Sequence, residues 1–298
     1  MPRHVLTGQL VAVTGGARGI GRATAAALLA AGARVAIGDL DAELATRTAD
    51  ELGGGRPDAI RAYPLDVTDR ASFAAFLDAA ERDLGPLFAL VNNAGIMPIR
   101  AFADEDDATT DRIVDINLHG VLTGSKLALP RMRARGAGHL VNVASQAGRI
   151  GAAGLATYCA TKFAVVGFCE ALRIELHGSG IDVSCVMPAV VDTELTAGIE
   201  GAPRPLRIAP EDVAAAIVGT LRRPRPEVYV PRFLAPAYRA GGALPPRVRD
   251  RALRLVGSDH LMVDAADRAE RIGYEARAAA PVQGHSQRDD ATTAGDRR

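Results

Sequence analysis

Neither sign of charge predominates in this chain of 298 residues. Its 35 Lys and Arg face 35 Asp and Glu, so no global attraction to nucleic acid or acidic membrane is implied, and any such contact must be local. Cysteine is scarce. Cys159, Cys169 and Cys185 are an odd number, lie in apolar surroundings and lack metal-ligand spacing, which predicts buried thiols in a reducing compartment and no metal site. No uninterrupted apolar run reaches the roughly 18 residues of a membrane span, and the N-terminus lacks an apolar stretch of signal-peptide length. The expectation is a soluble, cytoplasmic protein. No internal repeat is evident. With 48% hydrophobic residues, the chain can build one large α/β domain with a proper core, followed by a C-terminal extension.

Residues 10–13 are a short β-branched run that ends in Thr14, Gly15, Gly16, Ala17, Arg18, Gly19, Ile20 and Gly21. Ala and Leu then recur up to Ala31 as in a helix. Glycines between a strand and a helix let the backbone turn tightly. They also let a pyrophosphate approach the amides at the helix N-terminus, where the dipole favours negative charge. Residues 34–39 form a second strand ending in Asp39, 24 positions after Gly15. A carboxylate there accepts hydrogen bonds from adenosine ribose hydroxyls and repels a 2′-phosphate, so the favoured cofactor is NAD rather than NADP. Arg18 points the other way if it pairs with a 2′-phosphate, and otherwise reads as a solvated loop charge.

A strand over 60–65 delivers Asp66 and Val67 at its C-terminal end. Asp66 there either holds an adenine amino group or caps the helix starting near Asp69. A strand over 87–91 runs into Asn92, Asn93, Ala94 and Gly95, which suit a turn that bonds both backbone and cofactor, or an ordinary turn. The helical stretch 106–132 is more apolar than one surface stripe requires, predicting cover by the sheet and by a second subunit. Asn117 within it is a poor interior helix residue, expected to distort the ladder and leave a carbonyl free for water. His119 reads as a structural or surface histidine.

A strand over 139–144 leads to Ser145, and the Gly- and Ala-rich link that follows can fold back to bring its hydroxyl beside Tyr158. Tyr158 and Lys162 lie four apart on one helix face, so an ammonium sits close to a phenol. A phenol of pKa about 10 needs roughly 3 to 4 kcal/mol of help to work near neutrality, and a fixed positive charge supplies much of it. After a strand over 181–187 the chain leaves the sheet through Pro188, Ala189, Val190, Val191, Asp192 and Thr193. The last two either contact the cofactor or cap a short helix.

Strand and helix alternate with ligand-type residues at strand C-terminal ends, which describes a doubly wound parallel α/β sheet, Rossmann-like, of about seven strands, with a C-terminal helical extension. From about Gln9 to Thr193 the chain resembles the short-chain dehydrogenase/reductase family. The resemblance rests on Thr14, Gly15, Gly19 and Gly21 in the first turn, Asn92 to Gly95, Asn117, Ser145, Tyr158 with Lys162, and the Pro188 turn. Ala189 departs from it, standing where the family usually has glycine. The resemblance implies an oxidoreductase that moves a hydride between a nicotinamide and an alcohol or ketone. Tyr158 would be the acid/base, Ser145 would bond the substrate oxygen, and Lys162 would lower the Tyr pKa and bind the nicotinamide ribose. Asn117 would position a water in the proton relay. Cofactor contacts are expected at Gly15, Arg18, Gly19, Ile20, Gly21, Asp39, Asp66, Val67, Asn93, Ala94, Gly95, Tyr158, Lys162, Pro188, Val191 and Thr193.

Ile96, Met97, Ile150, Leu155, Met187, Leu195 and Ile199 flank these positions, predicting an apolar, sterol-like or lipid-like secondary alcohol as substrate. The rival readings are an NADP-dependent ketone reductase and a non-catalytic dinucleotide-binding regulator on the same fold. A homodimer or homotetramer is expected. Residues 1–231 read as the catalytic domain, 232–280 as a basic, helical extension and 281–298 as a disordered tail. Within the core, 194–210, with Pro203, Pro205 and Pro210, read as a substrate-covering loop, followed by a helix over 211–223 and a strand over 227–230. In the extension, Val248, Ala252, Leu255 and Val256 recur at helical spacing among arginines. They predict a short amphipathic helix that packs on the substrate lid or across a dimer, or else makes a peripheral membrane contact.

Overall fold

The computed structural model describes residues 4–199, 206–255 and 268–279. Strands β1 (Leu10–Thr14), β4 (Leu87–Asn92) and β5 (Gly138–Val143) are buried at every position, as strands must be when helices cover both faces of a parallel sheet. With β2 (Arg34–Asp39), β3 (Ile60–Pro64), β6 (Ile181–Pro188) and β9 (Glu227–Val230) they form one seven-stranded parallel sheet in the order β3-β2-β1-β4-β5-β6-β9. A second, two-stranded pairing joins β7 (Val190–Val191) to β8 (Arg207–Ile208).

Alternation along each strand sends neighbours to opposite faces. In β1, Leu10 and Ala12 join the core with Phe73, Phe76 and Leu77 of helix α3 (Arg70–Leu84). Val11 and Val13 join the other core, with Ala25 and Leu28 of α1 (Gly19–Ala30), Ala45 of α2 (Ala42–Gly53) and Ile217 of α7 (Pro210–Arg222). Each fully buried large apolar side chain contributes about 1.5 to 3 kcal/mol, so the two layers fix the sheet between them. Aspartates start the helices on the surface side. Asp41 accepts from Leu44 N at 3.0 Å, Asp69 from Ala71 N at 2.8 Å, and Asp106 from Thr109 N at 2.7 Å at the start of α4 (Asp107–Val114). Helix α1 has no such cap and no acidic residue in its first turn, which leaves its leading amides for another acceptor.

The stretch expected as one helix over 106–132 is three pieces: α4, a π turn at Asp115–His119, and α5 (Gly120–Arg135). The wide turn is centred on Asn117, the residue expected to disturb the ladder. Its fully buried amide accepts from Ile96 N and donates to Ile96 O, both at 2.8 Å. Strand β3 ends at Pro64, one residue short of the predicted limit, and Leu65, whose amide still donates to the Asp39 carbonyl at 2.9 Å, packs in the core with Phe76. Helices α8 (Ala235–Ala243), α9 (Pro246–Leu255) and α10 (Ala269–Ala279) follow the last strand. Val256, Pro203, Pro205 and the tail from 281 lie outside the described residues. Among the described residues, no helix is long and apolar enough to cross a membrane.

Candidate active site

The strand order reverses between β1 and β4, and in an open parallel sheet the crevice at that point is where ligands sit. Thr14 organises it. Its hydroxyl accepts from the amides of Asn93 and Ala94, each at 3.0 Å, while the Asn93 side chain donates back to the Thr14 and Gly15 carbonyls at 2.9 and 3.1 Å. A cross-braced turn of this kind needs glycine at Gly15, where φ is +65°, and at Gly21, where an added Cβ would lie 2.0 Å from the Gly15 carbonyl oxygen. At Gly19 an added Cβ would meet Thr193 at 3.3 Å, so the start of α1 and the chain leaving β6 face each other across a narrow gap.

Asp39 closes the far end of this loop. Its two carboxylate oxygens accept from Ala17 N at 2.9 Å and Asp41 N at 3.1 Å. Burial pushes its carboxyl above the usual range, against those two bonds and the Arg18 charge, which pull it back. Arg18 is already engaged: it donates to Asp41 at 2.8 Å and to Glu194 at 3.1 Å. The reading of Arg18 as a merely solvated charge is therefore replaced by an ion-paired one. Asp66 accepts from the amide and hydroxyl of Thr68 at 2.9 and 2.7 Å, and the cap of α3 is Asp69, so the capping reading of Asp66 is corrected. Val67 packs against Gly120, where an added Cβ would touch it at 3.0 Å.

Ser145 follows β5, and Tyr158 and Lys162 come from α6 (Ala156–Glu175). The link over 146–157 does fold back. The Ser145 hydroxyl, which accepts from Ala147 N at 3.1 Å, stands in the same cavity as the Tyr158 phenol and favours its ionised form. The Lys162 ammonium lies over the Tyr158 ring, 5.5 Å from its centroid, and donates to the Val143 carbonyl at 3.2 Å. Both side chains are buried. Burial raises the Tyr158 phenol, with Ser145 working against it, and lowers the Lys162 ammonium to about 8. In this ligand-free geometry desolvation of the phenol outweighs the nearby cation, which sits at the ring face rather than at the hydroxyl.

Ser145, Tyr158 and Lys162 line one cavity of about 210 Å³, which Ile20, Asn93, Gly95, Pro188, Val191 and Thr193 also border. Of the apolar residues expected around it, Met97, Ile150, Leu155, Leu195 and Ile199 line it. Ile96 and Met187 do not. Met187 faces a sheet core and is fully buried. Thr193 borders the cavity and starts the short turn Glu194–Thr196, whereas Asp192 pairs with Arg207.

The uncapped start of α1, the glycine turn that approaches Asn93, and the Asp39 carboxylate fit a dinucleotide. Gly15 to Gly21 would take its pyrophosphate and Asp39 its adenosine ribose. Among the described residues, no cluster of His, Cys, Asp and Glu could hold a metal, and all three cysteines are buried and free. Sequence reasoning missed contributions from the extension. Tyr238 of α8 lines the cavity and donates to Gln146 at 2.6 Å. Arg271 and Tyr274 of α10 reach the chain at Met97. The only sequence signal was a tyrosine in each of two Ala-rich segments.

Residues 9–203 match the family described as short chain dehydrogenase. The chain is 41% identical over 186 residues to a 2-(S)-hydroxypropyl-CoM dehydrogenase of Xanthobacter autotrophicus, covering 62% of this chain and 72% of that one. It is 36% identical over 219 residues to a 3-alpha-(or 20-beta)-hydroxysteroid dehydrogenase of Mycobacterium tuberculosis, covering 74% of this chain and 79% of that one. A crystal structure of a short chain dehydrogenase/reductase from Burkholderia phymatum in complex with NAD superposes with a TM-score of 0.73 at 25% identity, over 79% of this chain and 93% of that one.

Proposed function

The chain belongs to the short chain dehydrogenase family, oxidoreductases of alcohols and ketones that use a dinucleotide, and from that premise we propose that it prefers NAD(H) and acts on an apolar secondary alcohol or the matching ketone. The carrying observation is the cavity in which Ser145 and Tyr158 meet Met97, Ile150, Leu155, Leu195 and Ile199. A wall of this composition binds by area burial, at about 25 cal/mol per Å², with few polar anchors. The two relatives' names give unlike substrates, so the cavity carries this reading more than they do.

The NAD preference is supported by Asp39 together with Arg18. A 2′-phosphate would approach the carboxylates of Asp39 and Asp41 and would have to displace Asp41 and Glu194 from Arg18. Gly15, Arg18, Gly19, Ile20, Gly21, Asp39, Asp66, Val67, Asn93, Ala94, Gly95, Pro188, Val191 and Thr193 form the cofactor cleft in this reading. A bound nicotinamide supplies the acceptor or donor for the hydride exchanged with the carbinol carbon. The chain's own residues handle the proton. Ser145 donates a hydrogen bond to the substrate oxygen, and Tyr158, lining the same cavity, takes the hydroxyl proton in oxidation and returns it in reduction. Lys162 is mostly protonated below pH 8. Its charge lies 5.5 Å from the ring centroid, and a cation beside a phenol favours the phenolate. Lys162 would also bond the nicotinamide ribose, and Asn117 would hold a relay water at its π turn. Phe163 and Ile174, exposed on α6, support a homo-oligomer.

Steady-state kinetics on a panel of hydrophobic secondary alcohols, a sterol, a sugar and a hydroxy acid, each with NAD and NADP, tests the proposal. The expected result is kcat/KM highest for a hydrophobic alcohol with NAD. A sugar or hydroxy acid far ahead of every hydrophobic alcohol would overturn the substrate class, and a tenfold preference for NADP, about 1.4 kcal/mol, would overturn the cofactor.

A further inference from the structure

Helix α10 holds together two segments that wall the substrate cavity. Arg271 is fully buried. Its Nη1 donates to the carbonyls of Leu195 at 3.1 Å and Ala197 at 3.2 Å, its Nη2 to the Met97 carbonyl, and its Nε to Glu275 at 2.7 Å. Four of its five N–H groups thus have acceptors on three parts of the chain. Glu275 in turn accepts from Ile99 N at 3.2 Å, and the Tyr274 hydroxyl oxygen accepts from Met97 N at 2.7 Å. The Arg271 guanidinium lies 5.0 Å from the Tyr274 ring centroid, and Arg277 pairs with Glu194 at 2.8 Å.

A cation removed from water is costly unless it is paired and its donors are used, and here the pair is Glu275 on the same helix while the remaining donors reach segments far apart in sequence. Met97 sits beyond β4 and Leu195 in the turn after β7, and both line the cavity that holds Ser145 and Tyr158. Among the described residues, no backbone hydrogen bond joins 96–99 to 194–199. The planar guanidinium, with its donors in a fixed fork, spans that gap with a definite geometry.

We propose that Arg271 is a positioning residue for substrate: it fixes the separation of the Met97 and Leu195 walls and thereby decides how large an alcohol can dock productively at Ser145 and Tyr158. Tyr274 assists by holding the Met97 amide. The role in docking rests on the alcohol and ketone reading above, while the clasp itself is a property of the fold.

The test uses two variants of the full chain. Arg271→Lys keeps a charge beside Glu275, but a point-like ammonium cannot reach all three carbonyls. Tyr274→Phe keeps the ring and removes the acceptor of the Met97 amide. Hydrogen exchange on the ligand-free proteins reads the clasp. In Arg271→Lys the amides of 96–99 and 194–199 should exchange about tenfold faster or more while those of β1 stay unchanged, and in Tyr274→Phe only 96–99 should speed up. Kinetics with NAD on 2-butanol and on a two-ring secondary alcohol read its role. Arg271→Lys should lose about tenfold to a hundredfold in kcat/KM on the larger alcohol, mainly through KM, and less than about threefold on the smaller, with NADH affinity unchanged.

Equal losses on both alcohols, no loss on either, or unaltered exchange would each overturn the proposal. If Arg271→Lys does not fold, Tyr274→Phe decides by the same two readouts. If the unmodified protein oxidises neither alcohol, it is the alcohol and ketone reading that fails, and the exchange data still accept or reject the clasp.

Discussion

Replacing Lys162 by Met removes a charge that the fold holds out of water. Lys162 is 4% exposed, donates to Val143 O at 3.2 Å, and burial lowers its ammonium from 10.5 to about 8. At about 1.36 kcal/mol per decade, that fall corresponds to roughly 3 kcal/mol. The unfolded chain keeps this proton up to about pH 10.5, whereas the folded chain gives it up near 8. Between those values the unfolded state holds more protons, so stability rises with pH. Below pH 8 the whole cost is present, and above 10.5 it is gone. Methionine fills nearly the same volume without charge and forfeits the bond to Val143, worth about 1 kcal/mol. Lys162→Met should therefore gain roughly 2 kcal/mol at pH 7, raising Tm by about 4 to 8 °C. The advantage should fade as pH approaches 10.5 and reverse to a loss of about 1 kcal/mol beyond it. Thermal unfolding of both ligand-free proteins at neutral and alkaline pH measures the difference. A variant less stable than its parent at pH 7, or one whose difference from the parent does not change with pH, would refute the reasoning.

Asp39→Ser removes the carboxylate that braces Ala17 and is proposed to select against a 2′-phosphate, and should raise kcat/KM for NADP by about tenfold while lowering it for NAD. Paired cofactor kinetics check it, and an unchanged NADP rate would show that Asp41 and Glu194 hold Arg18 back instead. Gly21→Ala places a Cβ 2.0 Å from the Gly15 carbonyl. It should cost about 1 to 3 kcal/mol of stability and abolish dinucleotide binding, measured by thermal unfolding and NADH titration.

The order of the site along the chain was legible because each part is a local signal. A glycine turn between strand and helix, an acid at a strand end and a Tyr/Lys pair at helical spacing need no knowledge of the rest. The π turn was only half legible. Asn117 marked a disturbance, but apolar periodicity runs on through an extra residue per turn, so 106–132 read as one helix. Asp66 and Asp69 are both suitable caps three residues apart, and only the structure separates the Asx turn from the cap. Met187 was assigned to the cavity and lies in the core, since which face a strand residue takes depends on register against its neighbours. The bond from Arg271 to Met97 joins residues 174 apart in the chain, a relation that no local pattern carries.

Tyr158 is the proposed group that moves the substrate proton, while the dinucleotide is held largely by other residues. Tyr158→Phe keeps the ring beneath Lys162 and deletes only the hydroxyl. Steady-state turnover beside an NADH titration on the same preparation is the direct measurement. The account predicts a fall in kcat of about 10²- to 10⁴-fold with NADH affinity nearly unchanged. A variant that keeps more than about a tenth of kcat would contradict it.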